Sequence, residues 1–532
     1  MRALPLALTI AALFGAAQAC RPTQLESGTN HDGLSVATQG GQVNGFIDPS
    51  TPGVRRFLQI PYAQPPIGEL RFAPPEPALP FGEIHATEFG PSCMQFLAKT
   101  PPTIYTQFIN QFNVQGLNVS SQDVSEDCLT LSVWAPACPK VAAPLPVLVF
   151  LFGGGFMMGG QNVPYQIPAK WVQRTQGHVI VTLNYRLNIF GFPDAAGLSQ
   201  DKQNLGLLDQ RLAVEWVRDN IAAFGGDPEH ITLWGQSAGA VAAGYYQYAY
   251  QEDPIVTAII QDSGSEMLAA GDLSSSDTTH SNFSTVAAAV GCGDLSPDQE
   301  LACMRSDNVS ALAIEEAIQA NNRAGNKHLI IFTPIVDNKT VFANYTARSE
   351  ARQVATIPAI IGTTANDGAA FIPLMMDHHI NETLAAGATL AFFFCPAHLG
   401  ATNRILAGVP VYRFLYAGNF SNISPMPFLG AYHEAELPML FGTDEDFRGP
   451  STPLQKMTSR VMQDEWVAFA RAGVQGMEQV GWPRYTSTEG QGSMVREFGG
   501  MGTAVRDVQL AEMNGLCADL NKSVDKEAGK ST

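Results

Sequence analysis

Ile231-Thr-Leu-Trp-Gly235-Gln-Ser237-Ala-Gly239 is the stretch on which the fold turns. Four apolar or β-branched residues lead into Gly-Gln-Ser-Ala-Gly, and the apolar, Ala-rich segment 240–250 follows. This order reads as a strand, a sharp turn and a helix, with Ser237 at the apex. A side chain at such an apex is forced into the open, and glycines on both sides relieve the crowding. The helix that follows aims its free N–H groups and positive dipole end back at the serine, where negative charge would develop in acyl transfer. The same five letters also fit a glycine turn beside a buried serine, so the flanking chain must decide.

Upstream, Val147-Leu-Val-Phe-Leu-Phe152 is a continuous apolar run, as expected of a parallel strand buried on both faces, and it ends in Gly153-Gly154-Gly155. His178–Leu183 reads as the next strand and Leu205–Ala223 as a helix. Further strands are expected at 258–261, 329–336, 359–362 and 411–416, with helices between them. Alternation of this kind specifies an α/β fold: a mostly parallel central sheet with helices on both faces. Residues 34–60 add an N-terminal β-meander. Between Cys93 and Cys128 runs an excursion rich in Ile104, Tyr105, Phe108, Ile109, Phe112 and Leu117. At 94–127 we expect a lid-like cover, although a loop packed on the core fits the same letters. No composition break divides the chain, so residues 20–532 are read as one domain.

Met1–Ala19 has a positive start, an apolar centre and an Ala-Gln-Ala cleavage pattern, the form of a signal peptide. No later segment reaches 18 apolar residues, and a secreted, extracellular protein without a transmembrane segment is expected. Nine sequons agree with export from a eukaryote: Asn118, Asn282, Asn308, Asn338, Asn344, Asn381, Asn419, Asn422 and Asn521. A formal charge of −18, with no basic cluster, argues against a nucleic-acid partner. Eight cysteines suggest disulfides; Cys292 and Cys303 lie close enough to staple a short loop, and spacing decides no other pair. No metal-ligand spacing is present, and neither a metal nor a cofactor is implied; His378-His379 reads as a solvated loop.

A serine hydroxyl is a poor nucleophile without a base, usually histidine, and a group that holds that base in the right tautomer. It also needs N–H donors where the oxyanion forms, each worth roughly 2.7–4 kcal/mol of barrier. The glycine run after a buried strand supplies such donors, and the Ala238 N–H adds another. For this architecture the expected chain order is serine, acid, histidine. His378, His379, His398 and His433 come late enough, and His433, a loop after the 411–416 strand, is best placed. Asp367 follows the 359–362 strand at its carboxyl end; Asp337 is the second candidate, and a turn cap is the ordinary role for either.

Glu126-Asp-Cys-Leu-Thr-Leu131, Phe152-Gly-Gly-Gly-Phe156, Asn184-Tyr-Arg186, Asn204-x-Gly-x-x-Asp209-Gln-Arg211 and Phe224-Gly-Gly-Asp-Pro228, read together with the elbow, resemble the type-B carboxylesterase/lipase family of α/β-hydrolases. The resemblance runs from about Gly40 to Cys517 and points to a fungal secreted member. It implies Ser237 as nucleophile, His433 as base, and Gly154, Gly155 and Ala238 as the oxyanion hole. Asp367 falls where the family usually carries glutamate, one methylene longer. Ser263 resembles a buried serine beside the triad. The pairings Cys93–Cys128, Cys292–Cys303 and Cys395–Cys517 are implied too, leaving Cys20 and Cys138 to pair by elimination.

Cholinesterases of this family hold a quaternary ammonium on a tryptophan in the first disulfide loop, but residues 94–127 contain none, and Gln236 stands where they carry glutamate. A choline ester is therefore disfavoured. The expected activity is hydrolysis of neutral, hydrophobic carboxylic esters, small or lipid-like, with transient contact at a lipid interface. An acyltransferase using the same site, and a non-catalytic binding protein on the same fold, are the alternatives.

Overall fold

The apolar runs become the centre of an eleven-stranded sheet in the computed structural model, which describes residues 33–96, 103, 105, 124–137, 139, 143–268, 279–323, 329–375, 379–424, 426–487 and 492–517. In chain order the first strands are β1 (Phe46–Ile47), β2 (Val54–Pro61), β3 (Thr130–Pro136), β4 (Leu145–Leu151) and β5 (Val179–Leu183). Then come β6 (Gly226–Gln236), β7 (Ala258–Asp262), β8 (Ala359–Thr364), β9 (Val411–Tyr416), β10 (Val495–Phe498) and β11 (Val505–Val508). They lie in the order β11-β10-β9-β8-β7-β6-β4-β5-β3-β2-β1. Every pairing from β10 across to β5 is parallel. Both margins are antiparallel: β11 on one side, and β3, β2 and β1 on the other. The N-terminal meander adds a separate three-stranded sheet of Ser35–Ala37, Gly41–Asn44 and Gly82–His85.

Burial explains this arrangement. Every residue of β4, β5, β7, β8 and β9 is buried, as strands covered by helices on both faces must be. Helices α1 (Leu205–Asn220), α2 (Ala238–Ala249), α3 (Cys395–Ala407) and α4 (Pro453–Gln479) supply much of that cover. The last turn expected of α1 tightens into a 3-10 turn, Ile221–Phe224, which Gly225 ends at φ 91°. One helical run, Glu382–Ala407, is long and apolar enough to cross a membrane, but half of its apolar window is buried inside the molecule. Its α3 portion packs on β8 and β9, which marks it as a core helix.

The strand expected at 329–336 does not form. Two asparagine side chains replace its ladder: Asn322 Oδ1 and Nδ2 bond the Ile330 N–H and C=O, and Asn204 does the same for Ile335. Pro334, which has no N–H to offer, breaks any continuous pairing. Asp337, at the end of this stretch, accepts the N–H groups of Lys339, Thr340 and Val341, and so is a turn cap.

Several of the shared motifs prove to be scaffolding. Asp209 binds Arg186 through both carboxylate oxygens at 2.7 and 2.9 Å, and Glu126 grips Arg71 at 2.6 Å through both of its own. A third buried pair, Arg404–Glu266 at 2.7 Å, ties α3 to the segment after β7, and neither side chain is exposed. Burial alone would raise the Glu266 carboxyl, yet the Arg404 charge and its hydrogen bonds hold it below the ordinary value. The stability from this ionisation is therefore present at neutral pH and lost as the pH falls through the folded pKa. Glu266→Gln would strand the Arg404 charge, so denaturant unfolding should show a loss of about 3–5 kcal/mol.

The three disulfides expected from the resemblance are formed: Cys93–Cys128, Cys292–Cys303 and Cys395–Cys517. Cys20 and Cys138 lie outside the described residues, as do Asn118, Asn521 and His378. Asn308, Asn338, Asn344, Asn381 and Asn419 are exposed and Asn282 is half-buried. Asn422 corrects the sequon reading. It is buried, and its amide nitrogen donates to Asp444 O, Gly449 O and Ser451 Oγ; a glycan would replace one of its two hydrogens and could not leave all three bonds in place.

Candidate active site

The parallel strands converge on one edge, and there the elbow forms. Strand β6 ends at Gln236, and Ser237 takes φ 54°, ψ −122° before α2 begins. No helix or strand conformation reaches that point, so the serine stands clear of both, half-exposed among buried neighbours. Its N–H donates to Asp262 O at 2.8 Å, which pins the turn to the end of β7. The flanking glycines are required by space as well as by torsion. A Cβ on Gly239 would lie 2.0 Å from Leu151 O, and one on Gly235 would lie 2.1 Å from Gly239 O. The elbow thus rests directly on the carboxyl end of β4.

The glycine run sits at that same end. A Cβ on Gly153 would come within 2.8 Å of Ser237 Cβ, and Gly154 and Gly155 have φ values of 105° and 66°. In this conformation the Gly154 carbonyl turns away to accept Met157 N–H and Met158 N–H. Among the described residues, the N–H groups of Gly154, Gly155 and Ala238 meet no protein acceptor. This leaves three N–H groups without a protein acceptor on the turn that carries Ser237 and on the glycine run beside it.

Asp367 and His433 arrive from β8 and from the loop after β9. Asp367 opens a 3-10 turn just past β8, fully buried, and its Oδ1 lies 2.8 Å from His433 Nδ1. Its Oδ2 accepts the Thr364 N–H at 2.8 Å and the Ser263 hydroxyl at 3.2 Å. Ser263 reaches it from a left-handed turn of its own, at φ 49°. Two donors thus fix this short side chain at the end of β8. A carboxylate at Nδ1 keeps the imidazole proton on that nitrogen, leaving Nε2 with its lone pair. In the structure the Gln236 amide nitrogen meets Nε2 at 3.2 Å, and among the described residues Ser237 Oγ makes no hydrogen bond.

Phe371 and Phe393, which sequence reasoning passed over, stand beside His433 together with Tyr105 of the expected cover. Phe393 and Phe371 flank the His433 ring at 4.7 and 5.1 Å, and Tyr105 stacks on Phe371 at 5.4 Å. Phe371 is partly exposed, so this wall opens to solvent. Glu434, at φ 78°, accepts the hydroxyls of Tyr105 and Tyr165 at 2.9 and 2.8 Å. Of the 94–127 cover, the described residues place Tyr105 against this wall and pair Thr103 with Pro373, on the site side of the molecule. His379 is exposed, and His398 bonds the Tyr485 hydroxyl away from the site. Among the described residues, no group of three or more potential metal ligands occurs.

A mostly parallel sheet with a serine elbow after a central strand, and an Asp–His pair on loops from later strands, defines an α/β-hydrolase. The model of the carboxylesterase family matches residues 32–390 and 377–506. The chain is 45% identical to a chlorogenic acid esterase of Aspergillus niger over 84% of each protein. It is 42% identical to secreted lipase 5 of Gibberella zeae, over 87% of this chain and 90% of the lipase. It is also 27% identical to the acetylcholinesterase of Bungarus fasciatus, over 85% of this chain and 82% of that enzyme. The chain belongs to the carboxylesterase family and is a carboxylic ester hydrolase.

Proposed function

We propose that this protein is a secreted serine esterase that cleaves neutral, hydrophobic carboxylic esters through an acyl-enzyme. Ser237 is the nucleophile, His433 its base and Asp367 the partner of the base. The observation that carries this reading is the 2.8 Å bond from Asp367 to His433 Nδ1, which leaves Nε2 basic beside the residue preceding Ser237. Attack requires Ser237 Oγ to turn to Nε2 in place of the Gln236 amide; such bonds often tighten only once substrate binds.

As Oγ bonds the ester carbon, its proton passes to Nε2 and the carbonyl oxygen takes the negative charge. The N–H groups of Gly154, Gly155 and Ala238 receive that oxygen, at roughly 2.7–4 kcal/mol of barrier each. Collapse breaks the ester C–O bond, and the imidazolium gives its proton to the departing alcohol. Water then repeats the sequence on the acyl-serine and releases the acid.

Hydrophobic substrates are favoured by the Phe371–Phe393–Tyr105 wall. One relative is named for chlorogenic acid and another as a lipase. A flat aromatic wall stacks better on a planar aryl acyl group than on a bare alkyl chain. Three disulfides among the described residues and several exposed sequons support export through an oxidising compartment.

A fluorophosphonate ester should form a single covalent adduct on the peptide containing Ser237; labelling elsewhere, or none, would sink the assignment. The same enzyme, given aryl and alkyl esters of graded length, should show higher kcat/KM for aryl acyl groups. Adding an alcohol acceptor and finding water still the main acceptor separates hydrolysis from acyl transfer.

A further inference from the structure

Glu434, the residue after His433, is buried, and two tyrosines share its carboxylate. Oε1 accepts the Tyr105 hydroxyl at 2.9 Å, and Oε2 accepts the Tyr165 hydroxyl at 2.8 Å. The two tyrosines differ in kind. Tyr165 is part of the core: it lies buried in the 3-10 turn Pro164–Gln166, its hydroxyl oxygen accepts the Gln166 amide at 3.0 Å, and its carbonyl accepts the Thr443 hydroxyl at 2.6 Å. Tyr105 belongs to the excursion between Cys93 and Cys128 and is only partly buried. Its ring stacks on Phe371 at 5.4 Å and 20°, Phe371 stacks on Phe393 at 5.7 Å and 23°, and both phenylalanines stand against the His433 ring. The Thr103–Pro373 bridge brings the same excursion to the chain two residues past Phe371.

Two features single out this carboxylate. Glu434 holds φ 78°, a backbone conformation that residues with a β-carbon seldom adopt and that persists only where the surroundings maintain it. Its bonds to the two hydroxyls also do what ring stacking cannot. Stacked rings tolerate sliding and rotation, whereas a hydrogen bond to a charged acceptor is short and directional, and it fixes the far edge of the Tyr105 ring. Burial, and then the Glu434 charge, pushes both phenols well above their ordinary range, so both remain protonated donors. The partly buried ring is thereby tied through Glu434 to Tyr165 and the core behind it.

We propose that Glu434 is a positioning residue for substrate selection: it holds Tyr105 flat against Phe371, and the fixed wall of Tyr105, Phe371 and Phe393 favours planar aryl acyl groups over alkyl ones. An alkyl chain can follow a wall that shifts, but an aryl group gains most from a flat face already in place. Two consecutive residues then divide the work, His433 meeting Asp367 and Glu434 meeting Tyr105. Glu434 touches no reacting atom and acts through Tyr105. The inference rests on the reading of this wall as an acyl-binding surface given above.

The test is a ratio on the full chain: kcat/KM for p-nitrophenyl benzoate over kcat/KM for p-nitrophenyl hexanoate. Damage to Ser237 or His433 lowers both rates alike and cancels, so a merely structural role would not move the ratio. Tyr105→Phe keeps the ring and removes the bonded hydroxyl. Glu434→Gly removes the carboxylate, and glycine suits φ 78°. Each change should lower the ratio about fivefold, chiefly by raising KM for the benzoate. The double variant should show the same ratio as either single one, because both delete the same bond. Losses that multiply in the double variant, or a ratio unmoved by Tyr105→Phe, would overturn the positioning role and leave the triad standing. If Glu434→Gly does not fold, Tyr105→Phe decides alone. A wild type with no preference for the benzoate would instead overturn the wall as an acyl-binding surface, and the role of Glu434 with it.

Discussion

Ser237→Ala should lower kcat for p-nitrophenyl butyrate by on the order of a millionfold, with the Tm almost unchanged. The fold tolerates the change because alanine must adopt the same φ of 54° that serine already adopts, and the half-exposed hydroxyl holds no hydrogen bond among the described residues. The anchor from Ser237 N–H to Asp262 O belongs to the backbone and survives. What disappears is the atom that bonds the ester carbon. The unpartnered N–H groups of Gly154, Gly155 and Ala238 remain, so some rate above that of water should persist. A variant that kept even a tenth of wild-type kcat would show that another group performs the attack.

Asp367→Asn should cost about ten-thousandfold in kcat through the tautomer of His433. The Oδ2 position of Asp367 receives two donors, Thr364 N–H and the Ser263 hydroxyl. An asparagine must place its oxygen there, because an NH₂ would point hydrogens at donors. Its NH₂ then faces His433 Nδ1, which has to accept, and the ring proton moves to Nε2. Nε2 so loaded cannot take the serine proton. Adding Ser263→Ala to Asp367→Asn leaves only one donor at that position and should recover part of the loss; measured kcat for the two variants and wild type checks this. If Asp367→Asn stayed within tenfold of wild type, the pair would be only structural.

How legible was this site? Strand β6 and its elbow could be read because the apolar run, the glycines and the helix all agree, and space at Gly235 and Gly239 demands glycine. Asp367 was legible at a strand end and His433 a loop after a later strand, in the right chain order, and the structure brings their side chains to 2.8 Å. The glycine run was legible because three glycines end a buried apolar strand, and Gly154 takes φ 105°, a conformation that suits glycine.

The failures share a physical origin, the destination of side chains. Residues 329–336 have strand composition, yet Asn204, 131 residues away, and Asn322, eight residues away, take their backbone groups, and the strand pattern itself reveals neither bond. Phe371 and Phe393 carried no signal in the sequence, since their stacking beside His433 depends on a turn after β8 and a π-helical stretch, Thr389–Phe394.

The serine comes from β6, but its base lies far downstream, inside the loop closed by Cys395 and Cys517. With the roles proposed above, a ribosome that has delivered the nucleophile has not yet delivered anything to take its proton. The growing polypeptide is thus latent for most of its synthesis.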